Sequence, residues 1–306
     1  MARKHKGKKI DGWVVIDKPL GMGSTKVVSK CRYLTNAKKA GHAGTLDPLA
    51  TGVLPIAFGE ATKTIPYIMD ARKTYQFTVK WGEARATDDL EGEITQISDV
   101  RPLTDDIIKA LPVFMGQIKQ VPPAYSAIKI DGKRAYSLAR AGETVDIKVR
   151  EVEIFDLKLL ENTVDEATFE MTCSKGTYVR SMGRDLALKL GTFGHIVHLR
   201  RTKVGPFDLS GTISLVKLEE LVHSAPLEEW ILNVMTVLDD ILALAVTKEQ
   251  ADFLKNGGFI SLADLESCLP LSSTSGQTLR AIEGDKLIAL CEISNTYLKP
   301  VRVFNL

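Results

Sequence analysis

Asp47 lies inside the run from Gly41 to Ile56, GHAGTLDPLATGVLPI, where Gly44, Pro48, Gly52 and Pro55 punctuate the chain around one carboxylate. An ionised carboxylate does chemistry in two ways: it adds to an electrophilic carbon, or it takes a proton. Pro48 disfavours helical geometry at the preceding residue, so Asp47 is expected in a turn or extended segment. The run from Val53 to Phe58 reads as a buried strand leaving that turn. A loop seated on a buried strand is where folds hold reactive groups. An Asp before a Pro is also an ordinary turn residue, and residue type alone leaves both readings open.

Two further stretches carry groups that such a carboxylate would use. Lys73 to Gly82 alternates as a strand, with Tyr75, Phe77, Val79 and Trp81 on one side. Tyr178 to Leu190 has Val179, Met182, Leu186 and Leu190 at helical spacing, with Gly191 as its stop. Arg180 then falls in the first helical turn, where a cation is poorly placed for the helix dipole. That misfit points to a partner elsewhere. A neighbouring guanidinium favours the ionised form of a carboxylate, which apolar surroundings disfavour. Taken singly, Tyr75 and Tyr178 read equally well as core aromatics, and Arg180 as a surface charge. Cys31, Cys173, Cys268 and Cys291 are scattered with no CxxC pair, so neither a zinc site nor a disulfide framework is expected. There is no phosphate-cradling glycine loop and no cluster of metal-ligand spacing.

The elements that must position these groups follow in chain order. Residues 1–10 form a basic tail. Gly12 to Asp17 reads as a strand, and Ser24 as the cap of a helix from Thr25 to Leu34 with Val27, Val28 and Cys31 on one face. Glu60 to Met69 and Thr104 to Phe114 read as helical, Ala86 to Gly92 as a polar turn, and Ala167 to Cys173 as a strand closed by the turn Ser174 to Thr177. Asp131-Gly132 marks a hairpin in a basic excursion whose Lys129, Lys133, Arg134 and Arg140 are candidates for phosphate contact or for plain solvated surface. Helical segments Leu215 to Leu221 and Leu227 to Leu238 link to a region of different texture. From about Val246 short strands appear at Leu279 to Ile282, Leu287 to Cys291 and Val301 to Phe304, which reads as a small all-β unit.

The chain has 306 residues, enough for about two domains and a sizeable core. An apolar fraction of 44% and a charged fraction of 25% are those of an ordinary soluble protein. No run of about 18 apolar residues is present, and no apolar segment follows the basic start, so neither a membrane span nor a secretory signal is expected. A reduced, cytoplasmic setting fits. The net charge of +2 hides an asymmetry. Residues 1–80 carry 15 basic groups against 5 acidic ones, and residues 172–203 carry seven against one. Such patches suit a polyanion, although the basic N-terminus supplies much of the first excess as solvated charge.

The block from Ala40 to Lys63 resembles the signature of the TruB family of tRNA pseudouridine synthases. So do Gln120 to Ala127 (QVPPAYSA), Cys173 to Ser181 (CSKGTYVRS) and His195 to Phe207, in the family's order. Lys18-Pro19-Leu20-Gly21 matches a further element. Met22-Gly23-Ser24 departs from the family's usual Met-Thr-Ser there. The resemblance implies an α+β fold. It has a mixed, largely antiparallel-sheet catalytic domain over residues 11–240, with an RNA-clamping insertion at about 124–150. A small PUA-like β domain follows over 241–306. It implies Asp47 as the catalytic carboxylate, Tyr75 stacking on the target base and Arg180 pairing with Asp47. It further implies Tyr178 and Leu199 as pocket walls, His42 filling the space a flipped base vacates, and Lys18 and Lys63 as substrate-binding groups. The implied activity is isomerisation of uridine 55 in the TΨC arm of tRNA, by a monomer without cofactor or metal. Two alternatives remain: a guide-RNA-dependent synthase of the same superfamily, and a non-catalytic RNA-binding protein on this fold.

Overall fold

The computed structural model describes residues 7–125, 129–130, 133–134, 147–265 and 274–306. The side chains of Lys129, Lys133, Arg134 and Arg140 lie outside the described part, as does Cys268. Of the first ten residues, 7–10 are described, with Lys8 and Lys9 exposed. Lys8 bonds through its backbone to Asn36 and Lys38, and Ile10 is buried.

The larger sheet is built from β1 (Gly12–Lys18), β2 (Ala40–His42), β3 (Ala50–Phe58), β4 (Lys73–Trp81), β7 (Gly116–Gln120), β10 (Arg150–Asn162), β11 (Glu166–Cys173), β12 (Gly194–Val204) and β13 (Phe207–Asp208). Its main order is β1-β3-β12-β4-β11-β10-β7, with β2 beside β3 and β13 beside β12. Every pairing is antiparallel except β3 with β12. Two-stranded pairs β5 (Glu83–Arg85) with β6 (Ile94–Ile97), and β8 (Lys129–Ile130) with β9 (Lys133–Arg134), stand apart from it.

β3 is buried on both faces from Gly52 to Phe58, so it reads as a continuous apolar run. β12 pairs with its start and β2 with its end, and Pro55 sits between those two stretches, where its missing N–H costs no ladder bond. β4 buries alternate residues, and its register on β11 sets Phe77 opposite Phe169 with the rings 5.4 Å apart. Gly52 has φ +99°, and a Cβ there would stand 2.2 Å from the Arg201 carbonyl oxygen. Only glycine lets β12 come this close, which brings Leu199 and Arg201 alongside Ala50 and Gly52.

Among the described residues the helices are α1 (Ser24–Thr35), α2 (Ile65–Asp70), α3 (Thr104–Ala110), α4 (Val179–Lys189), α5 (Leu215–Ser224) and α6 (Lys248–Lys255). The stretch Glu60 to Met69 divides into a 3-10 turn at Gly59–Lys63 and α2, and Leu111–Phe114 continues α3 as 3-10 helix. α1 turns Val27 and Cys31 inward, but Gly23, not Ser24, occupies its N-cap. Ser24 spends its hydroxyl on another chain segment instead.

A second sheet, in the order β14-β16-β17-β18-β15, comprises β14 (Ala243–Ala245), β15 (Ile260–Ser261), β16 (Thr278–Glu283), β17 (Lys286–Ile293) and β18 (Tyr297–Val303). It is not all-β, because α6 packs on it with Ala251 and Leu254 buried. α6 starts at a capping box in which Thr247 and Gln250 satisfy each other's backbone N–H groups. Leu287, Leu290 and Phe304 of this unit share one apolar cluster with Val53, Ala57 and Ile68 of the first.

Candidate active site

Asp47 stands between β2 and β3 on a loop bonded on both sides. Leu46, just before it, is buried, and both its backbone groups meet one hydroxyl. Ser24 Oγ donates to the Leu46 carbonyl at 2.9 Å and accepts the Leu46 N–H at 2.8 Å. Pro48, just after it, has its carbonyl bonded by Gly21 N–H at 2.8 Å and by Lys18 Nζ at 3.2 Å. The Asp47 side chain remains 41% exposed above this anchored backbone.

Lys18 itself is fully buried, and also donates to the carbonyls of Pro19 and Met22. Burial pushes its ammonium down to about 8, against the pull of the Asp47 charge. Enclosed by three carbonyls, Lys18 supports the loop that carries Asp47.

Arg180 enters from the first turn of α4. Its Nη2 lies 2.9 Å from Asp47 Oδ2 and its Nη1 3.4 Å from Asp89 Oδ2. The same guanidinium donates to the carbonyls of Thr87 and Tyr125, each at 3.0 Å. Its side chain is only 6% exposed. This is the partner that the misplaced cation called for. Removing one member of a buried ion pair leaves an uncompensated charge and costs about 3–5 kcal/mol, less here because the Asp47 end is half in solvent. Asp89 is in turn held by the Thr87 hydroxyl and by Glu91 N–H at 3.0 Å. Next to it, Asp88 is raised to about 6 by burial, which outweighs the Arg184 guanidinium 2.9 Å away.

A cavity of about 680 Å³ opens beside this pair. Tyr75, Leu199 and Arg201 line it together with Leu46, Ala50, Tyr178 and Val179, and Lys73, Arg150 and Lys175 add positive charge to the lining. Registers explain the lining: β12 places Arg201 opposite Tyr75 and Leu199 opposite Phe77. Arg201 is buried and donates to the carbonyls of Val53 at 2.9 Å and Gly44 at 3.1 Å. Burial raises the Tyr75 phenol above its ordinary range, opposed by Arg201. Lys73 caps the end of α2 by donating to the carbonyls of Ile68, Met69 and Ala71, and burial lowers it to about 8.

The structure thus brings Asp47, Tyr75, Arg180, Tyr178 and Leu199 to one cavity. His42, Lys18 and Lys63 do not line it. His42 lies on β2 opposite Ile56, half-buried, and burial together with Arg201 holds its imidazole below the usual range. Lys63 is turned away to the second sheet, where Nζ meets Glu60 and the Val303 carbonyl, both at 2.7 Å. The basic run 172–203 is open only in part, at the exposed Lys175, Lys189 and Lys203. Arg180 and Arg201 are buried, Arg184 pairs with Asp88 and Asp185, and Arg200 makes a bidentate pair with Asp17. Asp89, Arg201, Ser24 and Lys73 escaped sequence reasoning. Period-two alternation from Leu199 was a signal for Arg201.

Among the described residues, no helix is long and apolar enough to cross a membrane, and no group of three or more His, Cys, Asp or Glu is placed to hold a metal.

Residues 32–179 match the family model for the TruB family pseudouridylate synthase N-terminal domain, and residues 180–243 that for the tRNA pseudouridylate synthase B C-terminal domain. The chain is 51% identical to tRNA pseudouridine synthase B of Caulobacter vibrioides over all of both chains. It is 49% identical to the same-named protein of Rhodospirillum rubrum, again over the full length of both. Among solved structures, it superposes on a chain of an H/ACA RNP bound to a substrate RNA containing 2'-deoxyuridine with a TM-score of 0.75 at 21% identity, over 96% of this chain and 85% of that one. A chain of a Cbf5-Nop10-Gar1 complex gives 0.74 at 25% identity, over 96% and 84%.

Proposed function

Because this chain belongs to the TruB family of pseudouridylate synthases, we propose that it isomerises uridine 55 in the TΨC arm of tRNA to pseudouridine, with Asp47 as the catalytic carboxylate. The observation that carries this reading is the Asp47–Arg180 pair at the edge of a cavity lined by Tyr75.

The reaction breaks the C1′–N1 bond of the target uridine, turns the uracil over and joins C5 to C1′. The C5 proton leaves to solvent and N1 gains one, so atoms and electrons balance with no redox partner or group donor. Asp47 acts on the sugar, either by adding to C1′ or by taking a ribose proton. Both routes need its charge, and Arg180 at 2.9 Å favours that charge. A uridine inside a stacked arm cannot reach the cavity, so it must flip out, at a cost of a few kcal/mol. The Tyr75 ring offers a stacking surface to offset that cost. His42, on the strand that leads into the loop, is assigned to the vacated space, and Tyr178 and Leu199 to the pocket walls.

Identity of about half over full length with proteins named for tRNA favours a stand-alone enzyme over a guide-dependent assembly. The test is tritium release from a bare tRNA transcript carrying C5-labelled uridine, with purified protein alone. Release that disappears when position 55 is changed to cytidine is expected. No release, or release that survives the change, refutes the reading.

A further inference from the structure

α4 begins without a cap of its own. Tyr178 stands at its N-cap with extended backbone (φ −102°, ψ 111°) and makes no side-chain capping bond, and no acidic residue sits in the first turn. Arg180 adds a cation where the dipole disfavours one. A helix end of this kind needs an outside partner to define where it starts. Gln120, the last residue of β7 and 2% exposed, is that partner. Its Oε1 accepts the Tyr178 N–H at 2.8 Å and its Nε2 donates to the Tyr178 carbonyl at 3.0 Å. One amide side chain therefore occupies both polar groups of one backbone residue, which a neutral carboxamide does and a hydrophobic isostere cannot. The following residues reinforce the grip: the Val121 carbonyl accepts from Ser181 Oγ at 2.8 Å and from Arg184 at 2.9 Å.

We propose that Gln120 is a positioning residue for the reaction, setting where α4 starts and thereby where the Arg180 guanidinium stands against Asp47. Arg180 lies two residues beyond the clamped Tyr178. A helix advances about 1.5 Å and turns about 100° per residue, so a start that slips carries Arg180 off the carboxylate. Displacement of a catalytic group by about 1 Å can cost about 100-fold in rate. Gln120 does not itself line the cavity and does not touch the Asp47 carboxylate; it holds only the backbone of Tyr178, so its effect passes through the start of α4.

This inference rests on the uridine-isomerising reading of the site. The test is a double-mutant cycle with wild type, Gln120→Met, Arg180→Lys and the double variant. Single-turnover tritium release under enzyme excess and tRNA affinity are read for each. Gln120→Met is expected to slow the chemical step by about 10- to 100-fold. Its tRNA Kd should stay within about twofold, the accuracy to which independent effects add. In the Arg180→Lys background the same change should cost less than about threefold, because residues acting as a unit are not additive. An equal factor in both backgrounds, or a near-normal rate for Gln120→Met alone, overturns the proposal. If circular dichroism shows Gln120→Met unfolded, Gln120→Glu takes its place in the cycle. It keeps the acceptor for Tyr178 N–H, loses the donor, and carries the same expectation. An inactive wild type would remove the reaction itself, and the role of Gln120 with it.

Discussion

Asp47 combines an exposed carboxylate with a backbone bonded on both sides, so its removal need not disturb the loop. Asp47→Asn should lower single-turnover release by at least about 100-fold, the lower range of what a positioned base contributes. tRNA binding and thermal stability should be largely kept, because Arg180 still has Asp89, Thr87 and Tyr125. Residual turnover near that of wild type would remove Asp47 from its role. Asp88 gives a pH-dependent prediction. Its carboxyl is raised from an ordinary value near 3.8 to about 6 in the folded protein, so the folded state binds the proton more tightly than the unfolded one. The stability from this group is complete below the unfolded value and is lost as pH rises through about 6. Wild type should therefore lose stability relative to Asp88→Asn between about pH 4 and 7. Thermal unfolding of both proteins across that range checks it, and a constant difference in Tm would contradict it.

At the scale of elements, the site depends on short polar clamps between segments that are distant in sequence. Ser24 begins α1 yet serves the Asp47 loop, because one hydroxyl both donates to and accepts from Leu46. Ser24→Ala leaves a buried N–H and a buried carbonyl without that partner, at about 1–3 kcal/mol for each such group. The variant should unfold at lower temperature and lose rate beyond what its folded fraction explains. Denaturant titration paired with single-turnover assays at low temperature separates the two effects. A stability loss with an unchanged rate per folded molecule would show that Ser24 holds the fold but not the carboxylate.

Across the whole molecule, the two sheets share an apolar cluster and are pinned by Lys63 to the Val303 carbonyl. Charge is distributed less simply than a count of residues implies. In the basic run near α4 and β12 the arginines are buried or paired, whereas Lys175, Lys189 and Lys203 are exposed, as are Lys8, Lys26, Lys38 and Lys39. RNA affinity should therefore draw on the exposed lysines of both stretches and fall steeply with salt. A slope of log K against log salt of magnitude about 2 or more is expected, at about 0.7–0.9 for each phosphate neutralised. A flat plot between about 50 and 200 mM salt would contradict it. Charge reversal at Lys38 and Lys39 should reduce the slope while sparing the single-turnover rate at saturation.

What the amino-acid sequence determined by itself was local. The alternation in β4, the apolar run of β3 and the helical spacing of α4 are set by neighbours a few residues apart, and each is recovered in the structure. The Thr247–Gln250 capping box was equally legible, although α6 was read as part of an all-β unit. The turn around Asp47 and the odd placement of Arg180 were visible as local chemistry too. Tertiary structure decided which groups meet. Arg180 reaches the Thr87 carbonyl across 93 positions, Arg201 reaches Gly44 across 157, and Gln120 reaches Tyr178 across 58. Arg200 meets Asp17 from 183 positions away, so one cation of an apparent RNA patch has a carboxylate partner within the chain. The carbonyls that hold Lys18 and Lys63 were not legible, because a lysine's sequence neighbours do not reveal which carbonyls will meet it. Such pairings follow from strand order, register and the close approach allowed at Gly52, and these exist only once the sheet has formed.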